Sequence, residues 1–457
     1  MQDRIRKSAK SRESDGPHAE GWSLASEGSS GSVDEALCLK EPKSLESVME
    51  RAVGASCWEA ALKAVELNRG AAGPDGMPTS ALRAHLLLHG EAIKRKLLSG
   101  TFIPTASRRK EIAKPSGGTR GLNIPNVVDR FVQQLLVQAL TPHLDAQMST
   151  SSYGFRPGRS AHDAVRQAQV YAREGNTWVV DMDIESFFDR VNHDVLMRRL
   201  SREVGDRRVL KLINRMLTAG HTLPSGVAVK SEEGTPQGGP LSPLLSNLYL
   251  DALDRELAQR GLRFCRYADD CNIYVGSEQA GQRVMASMSA WLSKHLKLTV
   301  HPVKSGVGRS WERKFLGFTL TAALLLTVSS ASMARYQERV REHFTARNSV
   351  TSVALRDTWL SYVRGWWGYY GISEERKPIT RWEGWTRRHI RKCFWQRWHN
   401  AKGRYRNLLK LNVRPALAGV AHSSRGAWTM ARGSAMQIAL SNKVLRQHRF
   451  LVPTDLG

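Results

Sequence analysis

The segment Phe264-Cys265-Arg266-Tyr267-Ala268-Asp269-Asp270-Cys271-Asn272-Ile273-Tyr274-Val275 places two short runs of β-branched and aromatic residues on either side of an acidic pair. Runs of this kind around a tight polar turn predict a β-hairpin with both carboxylates at its tip. Paired carboxylates on a rigid hairpin are one way to hold divalent metal ions. An Asp-Asp pair is also what an ordinary solvated turn favours, so the rest of the chain has to decide between the two.

The composition points to a polyanionic partner. The 457 residues allow about three domains of ordinary size, and a hydrophobic content of 41% is enough for a packed core. The 68 Lys+Arg against 42 Asp+Glu leave a net charge of +26, which suits nucleic acid or an anionic membrane surface. No run approaches the ~20 apolar residues of a spanning helix, and the polar N-terminus has no signal-peptide core, so the membrane reading falls behind. Cys38, Cys57, Cys265, Cys271 and Cys393 are scattered and never spaced as C-x-x-C. Neither a disulfide framework nor a structural zinc site is expected, and a reducing cytoplasm is the simplest setting. The charge is uneven: Ala331 to Gly457 holds 24 Lys+Arg against 7 Asp+Glu, together with 8 of the 13 tryptophans. Cations interleaved with aromatics suit phosphate pairing and base stacking, with part of the tryptophan set expected in helix cores.

Along the chain, residues 1–45 read as a flexible tail, with Ser26-Glu27-Gly28-Ser29-Ser30-Gly31-Ser32 and no sustained periodicity. Helical patterning runs from Leu45 through Leu67 and breaks at Gly70–Gly76. Apolar residues at 127, 128, 131, 132, 135, 136, 139 and 140 predict an amphipathic helix. Trp178 to Ile184 reads as a buried strand ending in acids. Ser242-Pro243 read as the N-cap and first position of a helix through Leu253. After the hairpin come a helix near 279–295, short strands near 298–300 and 315–320, and a mainly helical region beyond 333. This order predicts an α+β core followed by a basic helical domain.

Asp181 and Asp183 share one face of their strand, because side chains repeat every two residues. They could stand beside the hairpin carboxylates in a metal-dependent nucleotidyl-transfer site. Lys114-Pro115-Ser116-Gly117-Gly118-Thr119-Arg120 puts two cations around a Gly-Gly turn, a layout suited to a triphosphate. Tyr153-Gly154-Phe155-Arg156-Pro157-Gly158-Arg159-Ser160 adds a basic turn, and Gly234-Thr235-Pro236-Gln237-Gly238-Gly239-Pro240 lets backbone approach a nucleotide closely.

In this order the segments resemble the blocks of a group II intron-encoded reverse transcriptase/maturase over roughly residues 60–320, with Tyr267-Ala268-Asp269-Asp270 matching the Y-x-D-D box. Gln237 to Pro243 and Tyr153 to Ser160 resemble the bacterial branch, and Trp359 to Tyr370 resembles its maturase domain. The resemblance implies a right-hand polymerase fold: fingers and palm over 46–325, with an antiparallel palm sheet packed on helices. A helical thumb/maturase domain over 333–400 and a basic nucleic-acid-binding segment over 401–457 would follow. It further implies that Asp183, Asp269 and Asp270 form the catalytic triad and hold two Mg²⁺, Asp183 being favoured over Asp181 by its place before Ile184 and Phe187-Phe188. Lys114 and Arg120 would clamp the triphosphate, Phe188 would exclude a 2′-hydroxyl and favour dNTPs, and Gln237 would pack near the primer terminus. Lys304 would protonate pyrophosphate. Intron RNA would meet Arg156, Arg159, Trp366, Trp367, Arg387, Arg388, Arg391 and Lys392. Family members often carry Asn at the position of His301 and Phe at that of Cys271, departures that leave the triad intact.

With only Cys393 in the C-terminal region, a His-Asn-His endonuclease with paired cysteines is not expected, and priming from an existing DNA end is. The implied function is RNA-directed DNA synthesis together with splicing and retrohoming of a parent intron, in a cytoplasmic ribonucleoprotein that joins the nucleoid when bound to DNA. A splicing factor without polymerase activity and a reverse transcriptase domesticated for defence are the alternatives.

Overall fold

The computed structural model describes residues 45–113, 119–223, 227–345 and 350–457, without the side chains of Arg120 and Ala228. The tail expected over 1–45 lies outside them except for Leu45. The fold opens with α1 (Val48–Val53), α2 (Ala55–Asn68) and α3 (Leu82–Leu98). The single helical stretch expected to Leu67 is split at Gly54, whose extended backbone (ψ 153°) ends one helix and starts the next.

β1 (Ser107–Ala113) and β2 (Thr119–Ile124) form an antiparallel hairpin. Next, α4 (Val127–Gln147) buries Val127, Phe131, Val132, Leu135, Leu136 and Leu140 on one face. It runs past the expected end at 140 and through Pro142, because Leu144 continues that face into the core. α5 (Ala161–Arg173) starts at a reciprocal Ser160–Asp163 capping box. β3 (Trp178–Asp183), α6 (His193–Glu203), α7 (Arg207–Thr218), β4 (His221–Thr222) and β5 (Ala228–Val229) follow. Then come α8 (Ser242–Gln259), β6 (Arg263–Tyr267), β7 (Asp270–Val275), α9 (Glu278–Leu296) and β8 (Gly306–Arg309). Ser242 is the first residue of α8 and not its cap; its hydroxyl donates to the Pro236 carbonyl (2.7 Å) and ties the helix to the preceding glycine-rich turn.

Two sheets result. One has the order β2-β1-β4-β5; the other, β6-β7-β3-β8, is antiparallel throughout. The strand expected at 298–300 contributes only a bridge from Val300 to Ile184, and the fourth strand of the second sheet is β8. Alternation assigns the two faces of this sheet. Val180, Met182, Cys271, Ile273 and Phe264 enter a core with α4 and α8, whereas Val179, Cys265 and Tyr274 enter a second core with α5 and the C-terminal helices.

The C-terminal part starts with the hairpin β9 (Phe318–Leu320) and β10 (Leu326–Val328), and β9 is shorter than the strand expected from 315. α10 (Ser330–His343), α11 (Ser352–Tyr370), α12 (Lys377–Arg397) and α13 (Ala401–Lys410) follow, then the short α14 (Pro415–Ala418), α15 (Ala427–Met430), α16 (Ser434–Ala439) and α17 (Asn442–Gln447). One core runs from Met333 to Phe450 across the expected boundary at 400. Trp359 and Trp395 are fully buried in it, and Trp359 Nε1 donates to the Leu451 carbonyl (2.7 Å). Among the described residues no helix is long and apolar enough to cross a membrane.

Candidate active site

β6 and β7 meet at Ala268-Asp269, where Ala268 takes a left-handed backbone (φ 57°). The register sets Asp183 directly opposite Asp270 and Asp181 opposite Asn272. Because Asp181, Asp183 and Asp270 fall on the same alternation as Val179 and Tyr274, all three carboxylates belong to one face of the sheet. The end of β3 is fixed from the 301–305 segment: the Ser305 hydroxyl accepts from the Asp183 amide (2.9 Å), and the His301 amide donates to the Asp183 carbonyl (2.8 Å).

The electrostatics of this face favour a cation. Burial, then Asp181, Asp269 and Asp183, push the Asp270 carboxyl up to about 8. Burial raises Asp181 to about 6, with partial relief from Arg313, 3.9 Å away. Lys304 Nζ lies 3.2 Å from Asp183 Oδ2, an ion pair without hydrogen-bond alignment, and that buried oxygen has no hydrogen-bond partner. Acidic oxygens crowded on one face, one of them unsatisfied, fit the hard-cation preference for carboxylate ligands. Among the described residues they do not close into a ready-made cluster of three ligands.

A second set of elements meets beside this face. Phe187 is buried, and Phe188 packs edge-to-face on it at 5.2 Å. The Thr235 amide donates to the Phe188 carbonyl (2.7 Å), and Gln237 Nε2 donates to Asp189 Oδ1 (3.3 Å). The Gln237 carbonyl accepts from the Asn123 amide of β2 (2.7 Å), and Gly238 adopts φ 115° where a Cβ would lie 2.6 Å from the Asn123 carbonyl. The glycine-rich turn is thereby joined to the β1–β2 hairpin and to Phe188. Arg120 sits on β2 opposite Ile112; Lys114 lies outside the described residues.

Two supports escaped the sequence reading. Gly154 lies flat against the hairpin tip, where a Cβ would strike the Ala268 nitrogen and come within 2.9 Å of the Tyr267 carbonyl carbon. Arg266, wholly buried, donates to the Ala268 carbonyl. The signals were faint: a glycine between two aromatics, and a charge on the buried alternation of β6.

The structure divides the expected RNA contacts. Arg156, 8% exposed, pairs with Asp145 (2.6 Å) and donates to the carbonyls of Asp145, Ser149 and Ser152, so its donors serve the fold. Trp366 is buried core. Arg391, 4% exposed, donates to the Leu440 carbonyl and Asn442 Oδ1, and Arg387 pairs with Glu383 and Asp455; both fasten α12 to the C-terminal segment. These four correct the expectation that every cation and indole named would face RNA. The reason is physical: a buried or half-buried arginine whose donors meet internal carbonyls and carboxylates has fewer left to offer phosphate. Arg159, Trp367, Arg388 and Lys392 keep partial exposure. Arg388 stacks 3.8 Å over Trp428, and Arg341 lies 5.3 Å over Trp385. Around them Arg341, Lys392 and Arg432 have no ion-pair partner among the described residues.

Residues 112–320 match the reverse transcriptase (RNA-dependent DNA polymerase) family, and residues 333–411 match the group II intron, maturase-specific domain. The chain is 37% identical over 273 residues to Protein YkfC of Escherichia coli (strain K12), covering 51% of this chain and 71% of that one. It is 37% identical over 177 residues to Group II intron-encoded protein LtrA of Lactococcus lactis subsp. cremoris, covering 38% of this chain and 29% of that one. It is 28% identical over 374 residues to an uncharacterized 91 kDa protein in cob intron of Schizosaccharomyces pombe, covering 63% and 46%. The chain thus spans less than half the length of the latter two relatives. With both domains in sequence and most of YkfC covered, the chain belongs to the group II intron reverse transcriptases, RNA-directed DNA polymerases that carry a maturase domain.

Proposed function

We propose that this chain extends a DNA primer on an RNA template at Asp183, Asp269 and Asp270. We further propose that it binds its intron RNA to promote splicing, and that the same copying carries the intron into DNA. The observation that supports the catalytic reading is the pairing of Asp183 with Asp270 across β3 and β7. Two Mg²⁺ bound by these carboxylates would supply charge stabilisation for attack of the primer 3′-hydroxyl and for the leaving pyrophosphate. In this reading Phe188 lies under the incoming sugar and favours dNTPs, Gln237 sits near the nucleotide, and Lys114 with Arg120 holds the triphosphate. Lys304 leaves its ion pair with Asp183 to hand a proton to pyrophosphate. The cytoplasm, with nucleoid association during DNA synthesis, is the proposed location.

The proposed RNA surface consists of Arg159, Trp367, Arg388 and Lys392, extended by Arg341 and Arg432. Two of its arginines are held over indole faces, which fixes their guanidinium planes, although Nε and Nη2 of Arg388 already donate to the Trp428 carbonyl (3.1 and 2.8 Å). Replacing Arg341, Lys392 and Arg432 together by Gln is expected to lower the slope of log K against log salt for an RNA hairpin by about 2 to 3, at roughly 0.7–0.9 per lost phosphate contact. Filter binding across a salt series measures this. Arg391→Leu is expected to lower stability by about 2 kcal/mol, since it strands buried acceptors, and to leave that slope unchanged; urea unfolding measures the loss.

Splicing of the flanking intron RNA at low Mg²⁺, with and without the protein, tests the maturase half. Protein-independent splicing contradicts it. Splicing support without dNTP incorporation on a primed RNA would instead identify a splicing factor whose polymerase has decayed.

A further inference from the structure

β6 carries an arginine where its alternation calls for an apolar side chain. Phe264, two residues earlier, enters the core with α8, and Arg266 follows it to the same side. The Arg266 and Asp254 side chains are both 0% exposed, and the pair is bidentate: Nε to Oδ1 at 2.7 Å and Nη2 to Oδ2 at 2.6 Å. Nη2 also donates to Ser152 Oγ (2.8 Å), and Nη1 donates to Asn247 Oδ1 (3.0 Å) and to the Ala268 carbonyl (2.8 Å).

Burying such a pair gains little over apolar residues of the same volume, so stability alone does not explain it. The Ala268 contact does. Ala268 joins Tyr267 to Asp269 in the turn, with a left-handed backbone (φ 57°) that an L-residue adopts only at a cost. Its carbonyl must be held for the turn to keep one shape. The rest of the network reaches the surface on which the turn rests. Asn247 Nδ2 donates to the Gly154 carbonyl (2.8 Å), and the Arg266 backbone exchanges hydrogen bonds with Ser151 and Tyr153.

We propose that Arg266 is a positioning residue for the reaction: through the Ala268 carbonyl it sets how the hairpin tip presents Asp269 and Asp270, while Asp254 keeps the guanidinium aimed. This rests on the catalytic reading of those two aspartates. The planar five-donor fork is what the role requires, because an ammonium in the same place can neutralise Asp254 without reaching Ser152, Asn247 and Ala268 together.

Three variants test it: Arg266→Lys, the apolar exchange Arg266→Met with Asp254→Leu, and Asn247→Ala, which loosens the frame and leaves the ion pair. Hydrogen exchange of the peptide spanning 267–271 reports the turn directly, without metal or substrate. Steady-state primer extension, normalised to active enzyme by burst titration, gives kcat and the KM for dTTP. For the first two variants exchange in that peptide is expected to rise about tenfold, with kcat per active enzyme down about 10- to 100-fold and KM within about twofold. For Asn247→Ala the expected fall in kcat is roughly threefold, and this variant decides if the other two do not fold. Wild-type exchange and wild-type kcat per active enzyme in Arg266→Lys, or in Asn247→Ala should that variant alone fold, overturn the proposal. So does a loss of activity that follows the number of folded molecules alone. If Asp269→Ala still synthesises DNA, the catalytic reading has failed, whatever Arg266 does.

Discussion

Asp269→Ala is expected to lower primer extension on an RNA template by a factor on the order of a thousand or more, corresponding to about 4 kcal/mol of transition-state stabilisation. Asp269 sits at the tip of the β6–β7 turn, beside the Asp183–Asp270 pair, and is among the charges that raise Asp270. Removing it takes away one of the carboxylates proposed to hold the metal, while the elements that form the basic C-terminal surface stay where they are. Binding of an RNA hairpin is therefore expected to remain within about twofold of wild type, because the phosphate-contacting cations are untouched. Active-site titration with filter binding on the same preparation separates the two effects. A variant that still incorporates dNTPs at the wild-type rate would contradict the role given to this turn.

Gly154→Ala is expected to lower kcat by about 100-fold, although it adds a single methyl group and removes no charge. The methyl would strike the Ala268 nitrogen and meet the Tyr267 carbonyl carbon at 2.9 Å, and both are backbone atoms that cannot rotate away. Either the 153–155 segment or the hairpin tip has to move, and Asn247 and Arg266 hold both in one frame. A shift of about 1 Å at the turn is enough for such a loss, with stability falling by about 1–3 kcal/mol from overpacking. Single-turnover incorporation and thermal unfolding measure the two effects. Wild-type turnover by a stably folded Gly154→Ala protein would show that the contact does not govern the reaction. Gly158, around which a Cβ would meet nothing, is the matched control for the basic turn, although its φ of 68° adds backbone strain of its own.

Where a local pattern carried the information, the sequence was a good guide. The apolar runs around 268–269 produce the β6–β7 hairpin, and the two-residue period places Asp181 and Asp183 on one face of β3. β8 was not legible, because Gly306-Val307-Gly308-Arg309 has neither alternation nor bulk and is a strand only through pairing with β3. Arg156 and Arg391 looked like surface cations because most of their acceptors are backbone carbonyls, which residue types do not mark: those of Asp145, Ser149 and Ser152 for one, and that of Leu440, beside the Asn442 side chain, for the other. Arg266 was hidden too, because its partner Asp254 stands among several other polar residues of α8 and nothing in the pattern singles it out. Satisfaction of charge by packing is a property of the folded chain, and a pattern of residue types does not display it.

The most direct measurement is incorporation of a single dNTP onto a DNA primer annealed to an RNA template, followed over a Mg²⁺ titration for the wild-type protein and for Asp183→Asn. The opposed Asp183 and Asp270 predict saturable, Mg²⁺-dependent incorporation by the wild type and none by the variant at any Mg²⁺ concentration. Wild-type protein that adds no nucleotide, or an Asp183→Asn protein that adds it as readily, would contradict the assignment.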